Sequence, residues 1–265
     1  MEQPRHAKPA PNGGQFAKKI NPKGDQELIA EPEHPLPIAV LGPSPMLSKV
    51  YEAATQLQKL VPDAVLVGGS AVAFYAGHRE SDDHDHVVSD LADHYEMVLE
   101  AVESQDGWIT NRLVPNKLIL GRIGDIEVGV RQLIRNIPLE VAEYQLPSGG
   151  ILRVPTPEET LRIKAYLLVV RNQTRDYLDV AALSDWGGIK WAAVTLADIG
   201  RFYSAQQEEG VSSQLARQLA DPCPKDAKTT RHLAQYKRLQ RRWQDWEEVR
   251  SVCASVAISM LDGEL

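Results

Sequence analysis

The chain has 265 residues, 43% of them hydrophobic, and a formal net charge of -7. This length can bury the core of one or two domains, while the acidic balance excludes a global basic field, so any nucleic-acid contact needs a local patch. Cys223 and Cys253 are too few for a disulfide framework or a structural zinc site, and they fit a reducing cytoplasm. No apolar run approaches the roughly 20 residues of a membrane span and the N-terminus lacks the apolar core of a secretory signal, so we expect no membrane partner.

The chain begins with a segment that is rich in Pro, Gly and Lys and has little to bury. We predict that residues 1–40 form a disordered or loosely docked basic arm, either a solvated tail or an arm that contacts a partner. The first regular element follows in MLSKVYEAATQLQKLV, whose apolar residues recur at helical spacing. This helix has Ser44 or Ser48 as its cap and ends at Pro62.

Short apolar runs then alternate with turns, which predicts a mixed α/β domain over residues 41–154. AVLV is a buried strand that ends at Gly68-Gly69, and Gly124-Asp125 is a tight turn. The other predicted elements are, in order, a short helix in SAVAFYAG, a strand in HDHVV, a helix from Ser89 in SDLADHYEMVLEAVES, and strands in GWITNRL, NKLILGR and IEVGVRQL.

The last part of the chain has the pattern of helices, and we predict an all-helical domain over residues 155–265. Thr156, Pro157 at the first helical position and Glu159 form a capping box, and Thr174 starts the next helix. The predicted fold class is therefore α/β (α+β), a small mixed sheet with flanking helices followed by an all-helical domain.

Gly68, Gly69 and Ser70 stand where the first strand passes into a helix. Glycines allow a close backbone approach to a ligand, and the free N–H groups at a helix start can hold an anion such as a phosphate. We therefore predict an anion-binding turn in which Ser70 takes part.

Two acids, Asp83 and Asp85, lie two residues apart on the next predicted strand, so their side chains share one face. Carboxylates beside a phosphate-binding turn make an oxygen site for Mg²⁺. A third acid would complete a two-metal site. Glu127 is the candidate because it alternates with apolar residues on its strand, and Asp125 in the turn is the weaker alternative.

These residues together resemble a known family. Gly68-Gly69-Ser70-Ala71, then His78-Arg79-x-Ser81-x-Asp83-x-Asp85, is similar to the GG(S/T)A…HRxSxDxD pattern of the DNA polymerase β-like nucleotidyltransferase superfamily. The resemblance is closest to its AbiEii/MenT-type toxin nucleotidyltransferases. Lys164 and Arg175-Asp176-x-x-Asp179 match the later Lys and (R/K)DxxD motifs, and the resemblance covers residues ~45–185.

The resemblance implies a nucleotide bound between the sheet domain and the helical domain. It implies an NTP donor such as ATP, one or two Mg²⁺ ions with Mn²⁺ as a substitute, and release of pyrophosphate. For characterised toxins it implies a tRNA 3′ end as acceptor, with an antitoxin or cognate regulator as partner. The implied roles are metal binding by Asp83 and Asp85, triphosphate binding by Ser70 and Lys164, and a catalytic or structural role for Asp176.

Several cations have two interpretations each. Lys164 and Arg171 are seven residues apart on nearly the same helix face, where they reach a triphosphate or face solvent. Arg79 contacts the triphosphate or acceptor, or belongs to a plain charged loop. The acids of the (R/K)DxxD motif could instead pair with nearby arginines and lock two helices together.

The sequence departs from the family at His84, between the two acids, where the usual residue is apolar, and His86 follows. We expect neutral core imidazoles rather than metal ligands or acid–base groups. Near the C-terminus, a charged helix with Leu239, Trp243 and Trp246 facing inward is favoured over a nucleic-acid surface. The basic and aromatic residues that would form that surface are Lys237, Arg238, Arg241, Arg242, Tyr236 and Trp243.

We therefore expect a cytoplasmic, metal-dependent nucleotidyltransferase of the EC 2.7.7 type, with tRNA as the toxin-like acceptor. One alternative acceptor is a small molecule such as an aminoglycoside. An inactive nucleotide-binding partner protein is the third hypothesis, and a broken set of acids would favour it. Asp83, Asp85 and a nearby acid are all present in the sequence.

Overall fold

A five-stranded mixed sheet is flanked by helices and followed by a helical region. The computed structural model describes residues 34–135, 137–203, 209–236 and 238–262. The elements are, in chain order, α1 Ile38–Leu41, α2 Pro45–Leu60, β1 Val65–Val67, α3 Gly68–Ala76, β2 Asp83–Val88, α4 Tyr95–Glu103, β3 Trp108–Val114, β4 Leu118–Ile123, β5 Ile126–Gln132, β6 Val141–Gln145, β7 Ile151–Pro155, α5 Pro157–Arg171, α6 Thr174–Gly187, α7 Ile189–Ala197, α8 Val211–Ala220, α9 Ala227–Thr230 and α10 Trp246–Leu261. The predicted α/β class, with helices after the sheet, is confirmed.

The strand order of the main sheet is β1-β2-β5-β4-β3. Strands β2 and β5 are parallel, and the other neighbours in this sheet are antiparallel. Strands β6 and β7 form a separate antiparallel hairpin. The two strands that carry the predicted acids, β2 and β5, are therefore hydrogen-bonded neighbours in the middle of the sheet.

The strand register divides the main sheet into two faces of different character. Asp83 lies opposite Glu127 and Asp85 lies opposite Gly129, so these four residues share one face. On the other face, apolar side chains of the sheet pack against α2 and α4. This core contains Leu57, Val61, Ala64, Val88, Leu91, Tyr95, Val98, Val102, Ile119, Val128 and Val130. The acids therefore lie on the face that these two helices leave uncovered.

Caps at two helix starts agree with the sequence. The Ser44 hydroxyl accepts a hydrogen bond from the Leu47 N–H at 3.3 Å, so Ser44 rather than Ser48 caps α2. The Thr156 hydroxyl accepts one from the Glu159 N–H at 3.3 Å. The Glu159 carboxylate does not complete the capping box, because it forms a buried pair with Arg135 at 2.6 Å instead.

Three segments differ from the predicted elements. The helix predicted from Ser89 begins at Tyr95, because residues 90–94 form turns. The hairpin of β6 and β7 had not been predicted. Around residues 231–236 and 238–244, short 3₁₀ turns replace the predicted continuous helix, although Leu239 and Trp243 are buried as expected.

The predicted arm over residues 1–40 falls largely outside the described residues, which begin at His34. Its last residues enter the helical turn α1. From His34 onward the chain forms a single compact unit. Cys223 is an exposed free thiol and Cys253 a buried one.

Candidate functional site

A cleft of about 310 Å³ opens between the acid-bearing sheet face and helices α5 and α6. We call it the cleft. Its apolar side includes Leu133, Leu139, Leu167, Tyr166 and Tyr203. The glycines and charged residues that line it are Gly68, Gly69, Arg79, Asp83, Asp85, Arg131, Arg135, Lys164, Arg171 and Arg175. The structure thus brings most of the sequence-predicted site residues to one place.

The glycine turn stands directly against the acids. Gly68 has φ +80°, a backbone conformation that favours glycine, and a Cβ there would come within 3.5 Å of the Asp85 side chain. A Cβ on Gly69 would collide with the Arg79 guanidinium. Gly68 is therefore favoured by its backbone angle and Gly69 by the close approach of Arg79, and α3 begins at Gly68 with its free N–H groups at the cleft.

Asp83 and Asp85 lie on the same face of β2, as the alternation predicted, and both are partly exposed to the cleft. The Ser81 hydroxyl donates a hydrogen bond to Asp83 Oδ1 at 2.6 Å, and Arg131 Nε donates one to Asp85 Oδ1 at 3.3 Å. A Cβ on Gly129 would collide with Asp85 Oδ1. Gly129 thus leaves room for a carboxylate cradle of the kind that a hard divalent cation binds, and the donor set fits Mg²⁺.

The third acid is less closely placed. Glu127 pairs with Asp83 across the parallel strands and is exposed, but it does not line the cleft. Asp125 is exposed in the turn before β5. Within the part of the chain that the structure describes, no three His, Cys, Asp or Glu side chains gather into a metal-binding group. Glu127 as third ligand therefore stays a prediction.

Ser70 has a different partner from the triphosphate that the resemblance implies. It is 1% exposed and does not line the cleft. Its hydroxyl donates a hydrogen bond to the main-chain carbonyl of Asp83. Ser70 therefore ties the start of α3 to the acid-bearing strand, and the sequence could not distinguish these two roles.

A buried carboxylate, Asp179, gathers three basic side chains, and we call these four residues the Asp179 cluster. Asp179 Oδ1 accepts hydrogen bonds from Arg79 Nε at 3.0 Å and His78 Nε2 at 2.8 Å, and Lys164 Nζ lies 2.7 Å from Oδ2. Burial alone would raise the pKa of Asp179, but the Arg79 and Lys164 cations hold it well below its usual range. Burial lowers the pKa of His78, so its neutral ring donates the proton.

The Asp179 cluster corrects one expectation of the sequence. Asp179 had been considered as a partner of the nearby arginines of α5 and α6, whereas its partners come from the loop before β2 and from α5. Arg79 and Lys164 line the cleft while bound to Asp179. Their cationic groups are thus held in place before any ligand binds.

Asp176 is buried one turn before Asp179 and is not among the cleft residues. Neither of its carboxylate oxygens has a hydrogen-bond partner among the described residues. Burial raises the pKa of Asp176, and the nearby Lys164, Arg171 and Arg175 oppose the shift. The two arginines are exposed at the cleft, so Asp176 contributes negative charge behind them rather than a contact with a ligand in the cleft.

His84 and His86 lie on the sheet face opposite the acids and are buried. Their rings meet edge to face, with centroids 5.1 Å apart. Burial lowers the pKa of His84 to about 4 and that of His86 well below the usual value. Both imidazoles are neutral, as expected, and neither points toward the acids.

The apolar side of the cleft has a wall of two stacked aromatic rings that the sequence did not reveal. Tyr166 stacks on Tyr203 with ring centroids 4.1 Å apart and an interplanar angle of 10°. Arg135 bridges this wall to α5, donating to the Tyr203 hydroxyl and to both oxygens of Glu159. Burial raises the pKa of Tyr203 to about 12, so it stays a neutral hydroxyl. These partners are far apart in sequence, and no local pattern signals the contact.

No profile of a known protein family matches the chain. Two curated relatives are the mycolic acid-containing lipids exporter MmpL11 of Mycolicibacterium smegmatis, 40% identical over 130 residues, and the heme uptake protein MmpL11 of Mycobacterium tuberculosis, 41% identical over 132 residues. Each match covers 48% of this chain and 13% of the relative, so the likeness is confined to one segment of those proteins. Of the helices in the described residues, none has the length and apolarity to cross a bilayer.

Similar solved structures include nucleotidyltransferase-like proteins. JHP933 from Helicobacter pylori has a TM-score of 0.47 and 16% identity over 83% of this chain and 94% of its own. An antigenic nucleotidyltransferase-like protein from Paracoccidioides brasiliensis has a TM-score of 0.47 and 16% identity over 75% and 95%. ANT(2")-Ia, in complex with adenylyl-2"-tobramycin, has a TM-score of 0.41 and 15% identity over 56% and 97%. The chain is similar to these proteins, and the function proposed below rests on the residues of the cleft.

Proposed function

We propose that this protein is a metal-dependent nucleotidyltransferase of the EC 2.7.7 type that moves a nucleoside monophosphate from an NTP to an acceptor hydroxyl. The observation that carries the proposal is the placement of Asp83 and Asp85 against the Gly68-Gly69 turn. The cations of α5 and α6 line the cleft with them. A phosphate-binding turn, two carboxylates and several cations are the parts that this reaction needs.

The chain's own residues bind and orient the donor. The N–H groups at the start of α3, together with Lys164, Arg171 and Arg175, hold the triphosphate, and the preset geometry of the Asp179 cluster reduces the ordering cost of binding. Asp83 and Asp85 would hold one or two Mg²⁺ ions, with Mn²⁺ as a substitute, which when bound neutralise phosphate charge and lower the pKa of the acceptor hydroxyl.

The acceptor oxygen forms a bond to the α-phosphorus while the bond from that phosphorus to the bridging oxygen breaks, and pyrophosphate leaves. Glu127, on the same sheet face as Asp83, is our candidate to receive the hydroxyl proton. The Tyr166–Tyr203 wall offers an apolar surface for the nucleoside.

An RNA acceptor, specifically a tRNA 3′ end, suits the charge of the cleft better than an aminoglycoside. Two of the charged residues that line it are acids, Asp83 and Asp85. The cationic ones are Arg79, Arg131, Arg135, Lys164, Arg171 and Arg175. Four of them are already paired, Arg79 and Lys164 with Asp179, Arg135 with Glu159 and Arg131 with Asp85. Arg171 and Arg175 form no ion pair with a described residue and supply the cationic charge that is left for a ligand. A polyanionic acceptor is attracted to such a site, and a polycationic aminoglycoside is repelled.

The biological setting follows from the same proposal. We propose that the protein acts on tRNA as a toxin in the cytoplasm, with ATP or another NTP as donor and an antitoxin protein as its regulator. We further propose a catalytic domain over residues 41–154 and a helical domain over 155–265, with the cleft between them.

The test incubates the protein with each α-³²P-labelled NTP, Mg²⁺, and either total RNA or an aminoglycoside. We expect label in the RNA fraction, and its loss in Asp83→Asn and Asp85→Asn. Asp106→Asn, an exposed acid away from the cleft, is the matched control and keeps activity. Label on the aminoglycoside would identify a small molecule, rather than RNA, as the acceptor. No label on any acceptor, with no binding of a fluorescent ATP, would refute the nucleotidyltransferase proposal.

A further inference from the structure

The face that carries the acids continues outward across β4 and β3. Cross-strand partners share a face: Asp85 with Gly129, Gly129 with Leu120, and Leu120 with Arg112. The neighbouring row leads from Asp83 through Glu127 and Arg122 to Ile109. We call the outer part of these rows, together with Arg131, the outer sheet face. Its residues are Ile109, Arg112, Leu120, Arg122 and Arg131.

The outer sheet face is open to solvent. Arg112, Arg122 and Arg131 are exposed, and Ile109 is 47% exposed. The helices α2 and α4 cover the opposite face instead. The outer sheet face is therefore a surface that residues of the described chain leave available.

The charges of this surface favour a polyanion. Arg131 is paired with Asp85 at 3.3 Å, and the other two arginines, Arg112 and Arg122, face one further acid, Glu127, in a chain whose net charge is -7. Arg112 makes no ion pair with a described residue, and Arg122 makes one hydrogen bond, to the Gly124 carbonyl at 3.1 Å. Most of their N–H donors remain available for phosphate oxygens. Between them, Leu120 and Ile109 offer aliphatic surface for the sugar and base of a single strand.

The surface leads directly to the acids. The row from Asp85 to Arg112 crosses three strand spacings, about 14 Å. Gly129 lies in this row, and the Asp85 carboxylate occupies the space that a side chain there would fill, so this carboxylate reaches toward β4 and the outer sheet face. A strand lying on the outer sheet face would thus bring its end to the place where the donor phosphate is expected.

We propose that the outer sheet face binds the single-stranded 3′ end of an RNA acceptor. Arg112 and Arg122 contact its phosphates, and its terminal hydroxyl points along Gly129 toward Asp85. This inference rests on the proposed function and names the surface through which the acceptor reaches that site. Charge complementarity selects an RNA strand over a second copy of this acidic chain.

The experiment measures binding of a 5′-fluorescent 12-nucleotide single-stranded RNA to the full chain. We expect Arg112→Glu/Arg122→Glu to weaken binding at least about tenfold, and to reduce the slope of log K against log salt by about 1.4, the value for two lost phosphate contacts. The matched control is Arg201→Glu/Arg217→Glu, which makes the same charge change at exposed arginines of the helical region and leaves RNA binding within about twofold of the wild type.

Fluorescent ATP binding is measured on the same samples, and it separates this inference from the proposed function. If wild type binds ATP but the Arg112→Glu/Arg122→Glu variant binds RNA as tightly as wild type, the surface assignment is wrong and the enzyme proposal stands. The surface assignment is also wrong if both double variants lose the same RNA affinity, or if the wild type binds DNA of the same sequence more tightly than the RNA. The inference is also overturned if the wild type is a dimer and the Arg112→Glu/Arg122→Glu variant is a monomer that still binds RNA as tightly as the wild type. If wild type binds no ATP, the proposed function itself fails.

Discussion

A methyl group added at Gly129 tests whether the position of Asp85 matters for catalysis. The Cβ of Gly129→Ala would lie closer than 3.0 Å to Asp85 Oδ1, whereas ordinary contact begins at 3.4 Å. The carboxylate oxygen has to move by about 1 Å, and a misplacement of that size can cost about 10²-fold in rate. Arg131 Nε, which donates a hydrogen bond to the same oxygen at 3.3 Å, has to move with that oxygen or lose the bond.

The same methyl group has a limited effect on stability. It would also come within 3.2 Å of Leu120 Cδ2, and overpacking of this kind costs about 1–3 kcal/mol. A protein of ordinary stability remains folded after such a loss. We therefore expect nucleotidyl transfer to fall about 100-fold while the variant still unfolds cooperatively.

The assay combines single-turnover transfer of labelled NMP at several Mg²⁺ concentrations with thermal unfolding. Gly210→Ala is the matched control, because no atom of the described residues lies within 4 Å of the added Cβ and the backbone at φ -60°, ψ 151° accepts alanine. We expect the control to match wild type in its transfer rate and Mg²⁺ dependence. A Gly129→Ala rate within twofold of wild type, at unchanged Mg²⁺ dependence, would refute the role given to Asp85.

Three further predictions concern stability. Asp179→Asn leaves Arg79 and Lys164 buried without a counter-charge, so denaturant unfolding should show a loss of about 3–5 kcal/mol, against no change in Asp106→Asn. The pKa of His78 is lower in the folded chain than in the unfolded chain, so the unfolded chain binds a proton first as the pH falls. The free energy of unfolding should therefore decrease below pH 6.5 by up to about 1.4 kcal/mol per pH unit, until His78 also titrates in the folded chain. Ser44→Ala removes the cap of α2 and should cost about 1 kcal/mol.

Each of these has an outcome that contradicts it. Asp179→Asn with wild-type stability would mean that the buried cations do not need the carboxylate. The pH dependence should become flatter in His78→Gln and stay unchanged in His94→Gln, whose ring is half exposed; equal profiles would exclude His78 as the cause. Ser48→Ala, in the same helix, should have the smaller effect of the two serine changes.

Local sequence patterns predicted correctly those features that depend on neighbouring residues along the chain. Period-two alternation placed Asp83 and Asp85 on one face, and turn chemistry predicted a helix directly after Gly68-Gly69, although α3 begins two residues earlier, at Gly68. The β6–β7 hairpin was missed although its turn contains Pro147 and two glycines, because its strands are short and only partly apolar. The start of α4 was placed too early because Ser89 has the character of a cap.

By itself, the sequence determined the order of most elements and the shared face of the two aspartates, because alternation and capping depend on neighbours along the chain. Tertiary structure alone decided that Ser70 binds a backbone carbonyl, that Asp179 holds Arg79 and Lys164, and that Arg112 extends the acid-bearing face. His78 and Asp179 are 101 residues apart. Such a pairing depends on how the loop before β2 packs against α6, which no local pattern encodes.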